Sequence, residues 1–170
     1  DIEPLPYKKL VEIGERFEIG SHSINHHLLT RFPMEVVKHE IEGSKVMLEK
    51  MFNRPITKFC YPRGYYNEEI KKLVQAAGYE SARTVKVCEL TPAADPFETH
   101  TTVHFVLDRQ EYGTDWLTFA LDKLTEAVTR SGAGEEIVYH FWGHSEEINR
   151  LDQWDRFESF LKTLQQSGVS

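Results

Sequence analysis

The sequence has few cysteines, no long apolar run and no block of basic residues. Its two cysteines, Cys60 and Cys88, are too few for a disulfide scaffold and form no Cys-x-x-Cys pair, so both are interpreted as small buried apolar residues. No apolar run approaches the ~18 residues of a membrane-spanning helix. Acidic residues outnumber basic ones by 27 to 20, for a formal net charge of −7. Nucleic acid and anionic membrane surfaces are therefore poor partners for this chain.

The sequence also lacks a targeting segment, because its N-terminus does not show the basic-then-apolar layout of a signal peptide. The compartment stays open on this evidence, as cytoplasmic or secreted after removal of a signal. The 170 residues have the length of one domain, and no repeat, low-complexity tract or linker interrupts them. We predict a single domain over residues 1–170.

Strands and helices alternate along the chain, which predicts the α/β class. The five predicted strands are 17–20, 56–61, 81–87, 101–107 and 137–142. The five predicted helices are 5–15, 33–51, 68–77, 116–130 and 152–166. Pro33 suits the first turn of its helix, and Asn67 and Asp115 are typical N-caps.

Two histidines four positions apart, His22 and His26, follow the first predicted strand. In a helical turn such a pair shares one face, about 5–6 Å apart at Cβ. Two ring nitrogens at that separation can bind one metal ion, and Ser23 and Asn25 between them could orient the rings. The alternative is a polar loop with surface histidines, since His27 follows directly.

Two further predicted strands are also followed by loops that contain aromatic, charged or histidine side chains. The three loops are His22–His26, Tyr61–Asn67 and Trp142–Glu147. In α/β sheets the chemistry lies where the strands end. We therefore expect a functional site built from these loops.

The loops resemble motifs of the polysaccharide deacetylases, the NodB-type family of metal-dependent carbohydrate deacetylases. The sequence His22-Ser23-Ile24-Asn25-His26, with Leu29, is similar to the family's second motif. Tyr61-Pro62-Arg63-Gly64 resembles its third motif, and Trp142-Gly143-His144-Ser145 with Glu147 resembles a version of its fifth. Asp115-Trp116 is a weak match to the fourth motif, because Asp115 is better explained as a helix cap.

This resemblance implies a site and a reaction. His22 and His26 would bind a divalent metal, zinc first, with cobalt, nickel or manganese as alternatives. His144 would be the general acid, with His140 as the second choice. Substrate-binding residues would be Arg63, Tyr61, Tyr66 and Trp142. The implied activity is hydrolytic removal of acetyl groups from amino sugars of a polysaccharide or glycan.

The family's first motif, Thr-Phe-Asp-Asp, which supplies a metal ligand and the base, does not occur in the sequence. The expected fold is therefore a partial or distorted (β/α) barrel of about five strands, N-terminally short and with impaired activity. The alternatives are a non-catalytic carbohydrate-binding relative and an α/β domain whose histidines are structural. Strand 17–20 would be a bare edge, covered by the N-terminal helix or paired in a homodimer. His104 is expected to be a satisfied strand residue.

Overall fold

The computed structural model describes residues 5–168. These residues divide into two compact units, which are described separately. Unit 1 comprises residues 5–84 and 94–99, and unit 2 comprises residues 85–93 and 100–168. The assignment of residues 1–170 to one deacetylase-like domain stays a prediction.

Unit 1 contains three α-helices close to their predicted positions. They are α1, Tyr7–Arg16; α2, Met34–Phe52; and α3, Glu68–Ala76. Pro33 is the N-cap of α2, and the Asn67 side chain caps α3 by accepting from the Ile70 amide at 2.9 Å. The local signals were sufficient here because capping depends on adjacent residues.

The sheet of unit 1 is short and parallel. Strand β1, Lys58–Cys60, pairs with β2, Ser81–Arg83, and single bridges add Ser21 beside Phe59 and Thr99 beside Arg83. Its apolar side chains pack with those of α2 and α3 around a core that includes Ile41, Phe59 and Ile70. Because the neighbours are parallel, Ser21 and Cys60 lead their following loops out at the same edge.

The predicted strand at 17–20 is wrong. Backbone pairing begins at Ser21, whose amide donates to the Lys58 carbonyl at 2.8 Å and whose carbonyl accepts from the Cys60 amide at 2.8 Å. Phe17 is 59% exposed, and its carbonyl accepts from the Arg54 guanidinium instead of a neighbouring strand. The bare edge expected at 17–20 is therefore not a strand, and the homodimer stays a prediction.

Unit 2 contains the remaining strands and longer helices. They are β3, Val103–His104; α4, Trp116–Gly132; β4, Phe141–Trp142; α5, Ser145–Arg150; and α6, Trp154–Gln166. β3 and β4 pair in parallel, and α4 and α6 cover a core that includes Val103, Trp116 and Phe160. Helix α5 was not predicted: it begins directly after His144, where the sequence indicated a turn.

The strands of unit 2 are much shorter than their apolar runs predicted. Val106 has a left-handed backbone with φ of 66°, which ends β3 inside the predicted strand 101–107. The described residues form two separate two-stranded sheets, and no closed sheet occurs among them. The α/β class is right, whereas the partial barrel is not confirmed. No helix within residues 5–168 is both long and apolar enough to cross a membrane.

Candidate functional site

The histidine pair of unit 1 is brought together by an irregular loop, not by a helical turn. Ser23 and His26 both have left-handed backbones, with φ of 67° and 55°. The His26 amide donates to the Ser23 hydroxyl at 3.0 Å, which closes the loop. The two imidazole rings lie edge to face, with their centroids 4.7 Å apart. The predicted proximity is present, but the helical reason given for it is wrong.

The protonation of His22 follows from one hydrogen bond. Its Nδ1 lies 2.7 Å from the carbonyl oxygen of Cys60, the last residue of β1. A carbonyl can only accept, so Nδ1 carries a hydrogen and donates it. In the neutral ring the lone pair is then on Nε2, and this is the arrangement in which metal-binding histidines are commonly held. Strand β1 thus fixes both the orientation and the tautomer of His22.

A buried carboxylate on α2 holds the loop between the two histidines. Glu40 is 1% exposed, and its Oε2 accepts from the amides of Ile24 and Asn25 at 3.0 and 2.8 Å. Its Oε1 accepts from the Asn25 side-chain amide at 2.6 Å. Burial acts to raise the pKa of Glu40, but the hydrogen bonds from Asn25 and Ile24 outweigh it and the pKa lies below its usual 4.5. Glu40 is therefore ionised at neutral pH.

Helix α2 lets this loop approach closely. A Cβ added to Gly43 would lie 2.8 Å from the Ile24 side chain, closer than real Cβ contacts. At the next residue, the Ser44 hydroxyl donates to the Ile41 carbonyl at 2.9 Å and lies 2.7 Å from the Ser21 hydroxyl, from which it accepts. The face of α2 that carries Glu40 is thus shaped to fit the loop.

The Arg63 turn leaves the same edge of the sheet in unit 1, three residues after Cys60. Arg63 is exposed and left-handed, with φ of 56°, within the 3₁₀ turn Pro62–Gly64. Few non-glycine residues adopt this conformation, because it costs about 1 kcal/mol or more.

The predicted role of Tyr61 as an exposed sugar platform is wrong. Tyr61 is fully buried, and its hydroxyl donates to the Phe97 carbonyl at 3.1 Å. Burial raises the pKa of this hydroxyl well above its usual range. The Tyr66 ring stacks on Tyr61 at 4.5 Å, and Tyr66 is itself half-buried.

Unit 2 contains a second group of ionisable side chains. Glu147, on α5, lies with Oε2 2.9 Å from His144 Nδ1 and 3.0 Å from His104 Nε2. The His144 amide also reaches this oxygen at 3.3 Å. The His144 side chain is 56% exposed, whereas His104 is buried. Among the described residues, these three side chains place one ligand atom each within 4.8 Å of one another.

A neighbouring arginine decides what this group can do. Arg109 Nη1 lies 3.2 Å from His104 Nδ1. A guanidinium only donates, so Nδ1 supplies the lone pair and Nε2 carries the hydrogen that bonds to Glu147. His104 then has no lone pair left for a metal ion. The arrangement is that of a hydrogen-bonded triad in which Glu147 accepts from two histidines.

The pKa values in the triad agree with this assignment. Burial lowers the pKa of His104 below its usual 6.5 despite the nearby carboxylate, and Arg109 lowers it further. Burial acts to raise the pKa of Glu147, but the hydrogen bonds from His144 and His104 outweigh it and the pKa lies below 4.5. At neutral pH, His104 is therefore neutral and Glu147 is ionised.

The other predicted residues of unit 2 have simpler positions. Trp142 is half-buried, and its ring stacks on His104 with centroids 4.0 Å apart. His140 is half-buried, and its amide donates to the Thr102 hydroxyl at 3.0 Å. Asp115 caps α4 by accepting from the amides of Leu117 and Thr118, which confirms it as a helix cap.

Sequence reasoning missed two residues of these arrangements and misjudged a third. Glu40 was missed, although its place three residues after the buried Val37 puts a charge on the apolar stripe of α2. Arg109 carries no sequence signal for its role. His104 was interpreted as a satisfied strand residue, and it does lie in β3 with both ring nitrogens hydrogen-bonded. That interpretation did not foresee that one of its partners is Glu147.

Comparison with known proteins supports the resemblance in the first half of the chain. The family model for polysaccharide deacetylase matches residues 3–82. The peptidoglycan-N-acetylglucosamine deacetylase of Bacillus cereus is 32% identical over 76 residues, which are 45% of this chain and 35% of that protein. The chain thus spans about a third of the length of the curated relatives it matches, with shares of 28% and 35%.

Solved structures show a similar fold over more of the chain. A CE4 family pseudoenzyme from Bacillus anthracis has a TM-score of 0.57 at 11% identity, covering 96% of this chain and 48% of that one. The Streptococcus pyogenes deacetylase PplD has a TM-score of 0.51 at 21% identity, covering 58% of this chain and 44% of that one. At such low sequence identities, these similarities support the fold and not a shared function. The motif loop His22–His26 lies inside the segment, residues 3–82, that is similar to the polysaccharide deacetylase family.

Proposed function

We propose that this chain provides the metal-binding part of a deacetylase that hydrolyses N-acetyl groups on amino sugars of a polysaccharide or glycan. The observation that carries the proposal is the geometry of His22 and His26, whose rings lie 4.7 Å apart in the loop that matches the family motif. The family's barrel, in partial form, is the proposed fold for the two units. The acetylated carbohydrate is the proposed partner.

The histidine pair fits a divalent ion such as zinc. Two imidazoles 4.7 Å apart, one with its tautomer fixed by the Cys60 carbonyl, are a suitable donor set for zinc, cobalt, nickel or manganese. No third His, Cys, Asp or Glu joins this pair within the described part of the chain. A bound ion would polarise the acetyl carbonyl and activate water for attack on it.

His144 is the proposed proton donor to the departing amine. Its Nδ1 bonds to Glu147 at 2.9 Å, so Nε2 is the nitrogen that would deliver a proton. The ionised Glu147 keeps the ring in this orientation. His140 remains the second choice, because it lies four residues before His144, directly ahead of β4.

Substrate contacts are proposed for three further residues. Arg63 projects from an exposed turn, where its guanidinium could orient a carboxylate or bond to sugar oxygens. The half-buried rings of Tyr66 and Trp142 could each pack against a sugar ring. Tyr61 is left out because it is fully buried.

Two measurements on the 170-residue chain test the proposal. Zinc and cobalt binding should be lost in a His22→Ala/His26→Ala variant, whereas the control His39→Ala, an exposed histidine on α2, should bind as the wild type does. Acetate release from an N-acetylated oligosaccharide should depend on added metal. Equal metal content in the wild type and the double variant would overturn the metal site.

A second candidate function is carbohydrate binding without catalysis. It is favoured by the two-histidine site, which has no third ligand among residues 5–168, and by the fold similarity to a protein described as a CE4 family pseudoenzyme. Retained binding of the oligosaccharide with no acetate release in the presence of metal would support it. Acetate release that responds to His22→Ala would rule it out.

A further inference from the structure

Helix α2 of unit 1 carries a buried and hydrogen-bonded carboxylate, that of Glu40. Its side chain is 1% exposed, and charges are rarely buried so deeply unless specific partners are provided. Its hydrogen-bond donors are the Ile24 amide, the Asn25 amide and the Asn25 side chain. Both residues lie between His22 and His26. The carboxylate therefore acts on the very segment that separates the two histidines.

This segment needs an external anchor. Ser23 and His26 are left-handed at φ of 67° and 55°, a conformation that costs about 1–3 kcal/mol per residue and persists where the surroundings enforce it. The internal hydrogen bond from the His26 amide to the Ser23 hydroxyl closes one side of the loop. The bonds to Glu40 hold the other side against α2, where Gly43 leaves room for Ile24.

The two histidines are anchored unequally. His22 follows Ser21, which is paired with β1, and its ring is held by the Cys60 carbonyl at 2.7 Å. The His26 ring packs against the His22 ring, and its position follows from the loop backbone, whose His26 amide donates to the Ser23 hydroxyl. We propose that Glu40 is a positioning residue that holds the loop so that the His26 ring faces the His22 ring. The proposal rests on the metal-binding function proposed above.

A matched pair of variants tests this role. Glu40→Gln keeps the size of the side chain but leaves one accepting oxygen instead of two, so at least one of the three donors, first the Asn25 side chain, loses its acceptor and faces another donor. Glu49→Gln is the control, because Glu49 also lies on α2 and accepts a backbone amide, that of Ile56, at 3.1 Å. Ile56 belongs to a segment without histidines. Both variants should lose some stability, but only Glu40→Gln should change the arrangement of the His22 and His26 rings.

Zinc affinity, measured by competition with a chelator, is the first readout. Glu40→Gln should weaken binding about 10- to 100-fold, the usual effect of removing support behind a metal ligand, and Glu49→Gln should change it less than about twofold. The visible absorption of bound cobalt should also change in Glu40→Gln, because its ligand geometry changes. An unaltered affinity and cobalt spectrum in folded Glu40→Gln would overturn the proposal.

A second readout needs no metal. The His22 and His26 ring signals in NMR spectra should show a contact between the rings in the wild type and in Glu49→Gln, and lose it in Glu40→Gln. If the wild type binds no zinc, the metal function fails, and the ring contact alone decides the role of Glu40. A ring contact that persists in Glu40→Gln overturns the positioning role, whatever the metal result.

Discussion

Arg109 donates through Nη1 to His104 Nδ1 at 3.2 Å and so assigns the hydrogen of the buried imidazole to Nε2. The spacing of His104, His144 and Glu147 is that of a metal site, yet the direction of this one hydrogen bond argues against it. The lone pair that a metal would need is directed at a cation. Distances between ligand atoms therefore say little until the hydrogens are placed.

This assignment predicts the NMR spectrum of His104. Its Nε2 should give a signal of the protonated, pyrrole type and its Nδ1 one of the pyridine type, measured through couplings to the ring protons. Addition of zinc should leave both signals unchanged. In Arg109→Met, Nδ1 loses its donor but Nε2 still donates to the Glu147 carboxylate, so the same tautomer should persist with a shifted Nδ1 signal. A zinc-induced shift of His104 in the wild type would contradict the triad.

The stability of unit 2 should decrease on mild acidification. The pKa of His104 is lowered in the folded state, so below its usual 6.5 the unfolded state binds more protons than the folded state does. The free energy of unfolding therefore decreases as the pH is lowered through this range. The lowered pKa of Glu147 adds a further loss below its usual 4.5. Denaturant unfolding at about pH 7.5 and about pH 5.5 measures the first effect.

The control for that measurement is His104→Gln, which removes the titrating ring and keeps a hydrogen-bond donor. It should show less difference in unfolding free energy between the two pH values than the wild type shows. A difference as large as in the wild type would mean that another group is responsible.

Gly143 should be intolerant of any side chain. A Cβ added there would lie 2.5 Å from the Phe105 ring, so Gly143→Ala should destabilise unit 2 by about 1–3 kcal/mol through overpacking. The control is Gly132→Ala at the end of α4, where an added Cβ has no atom within 4 Å. This change should be neutral or stabilise by up to about 1 kcal/mol, because alanine favours helix. Thermal unfolding distinguishes the two variants, and equal effects would refute the packing argument.

Arg63 should show opposite effects on stability and activity. Arg63→Gly relieves the strain of the left-handed backbone and should stabilise the folded state by about 1 kcal/mol. The greater conformational entropy of glycine in the unfolded chain offsets part of this gain. The same change removes the guanidinium, so acetate release or oligosaccharide binding should fall. Arg63→Lys, which keeps the charge and the strain, is the comparison. Unchanged sugar affinity in Arg63→Gly would remove Arg63 from the proposed site.

Local features of the sequence predicted the helices well. The caps at Asn67 and Asp115 depend on neighbouring residues and were correct, and α2 begins one residue after Pro33, the predicted first residue. The strands were overestimated because an apolar run indicates burial, and burial alone does not supply a pairing partner. Thus the apolar run 137–142 contains a strand of two residues, Phe141–Trp142.

The motif residues were likewise identified from sequence, while their arrangement was not. The spacing of His22 and His26 singled out the pair, but their approach depends on left-handed Ser23 and His26 and on a carboxylate 14 residues beyond His26. The link from Glu147 to His104 spans 43 residues. The sequence by itself singled out the histidines proposed to carry the chemistry, because residue type sets what a group can donate, accept or bind. Tertiary structure alone decided which of them meet and which nitrogen holds each hydrogen, because those depend on contacts between distant segments.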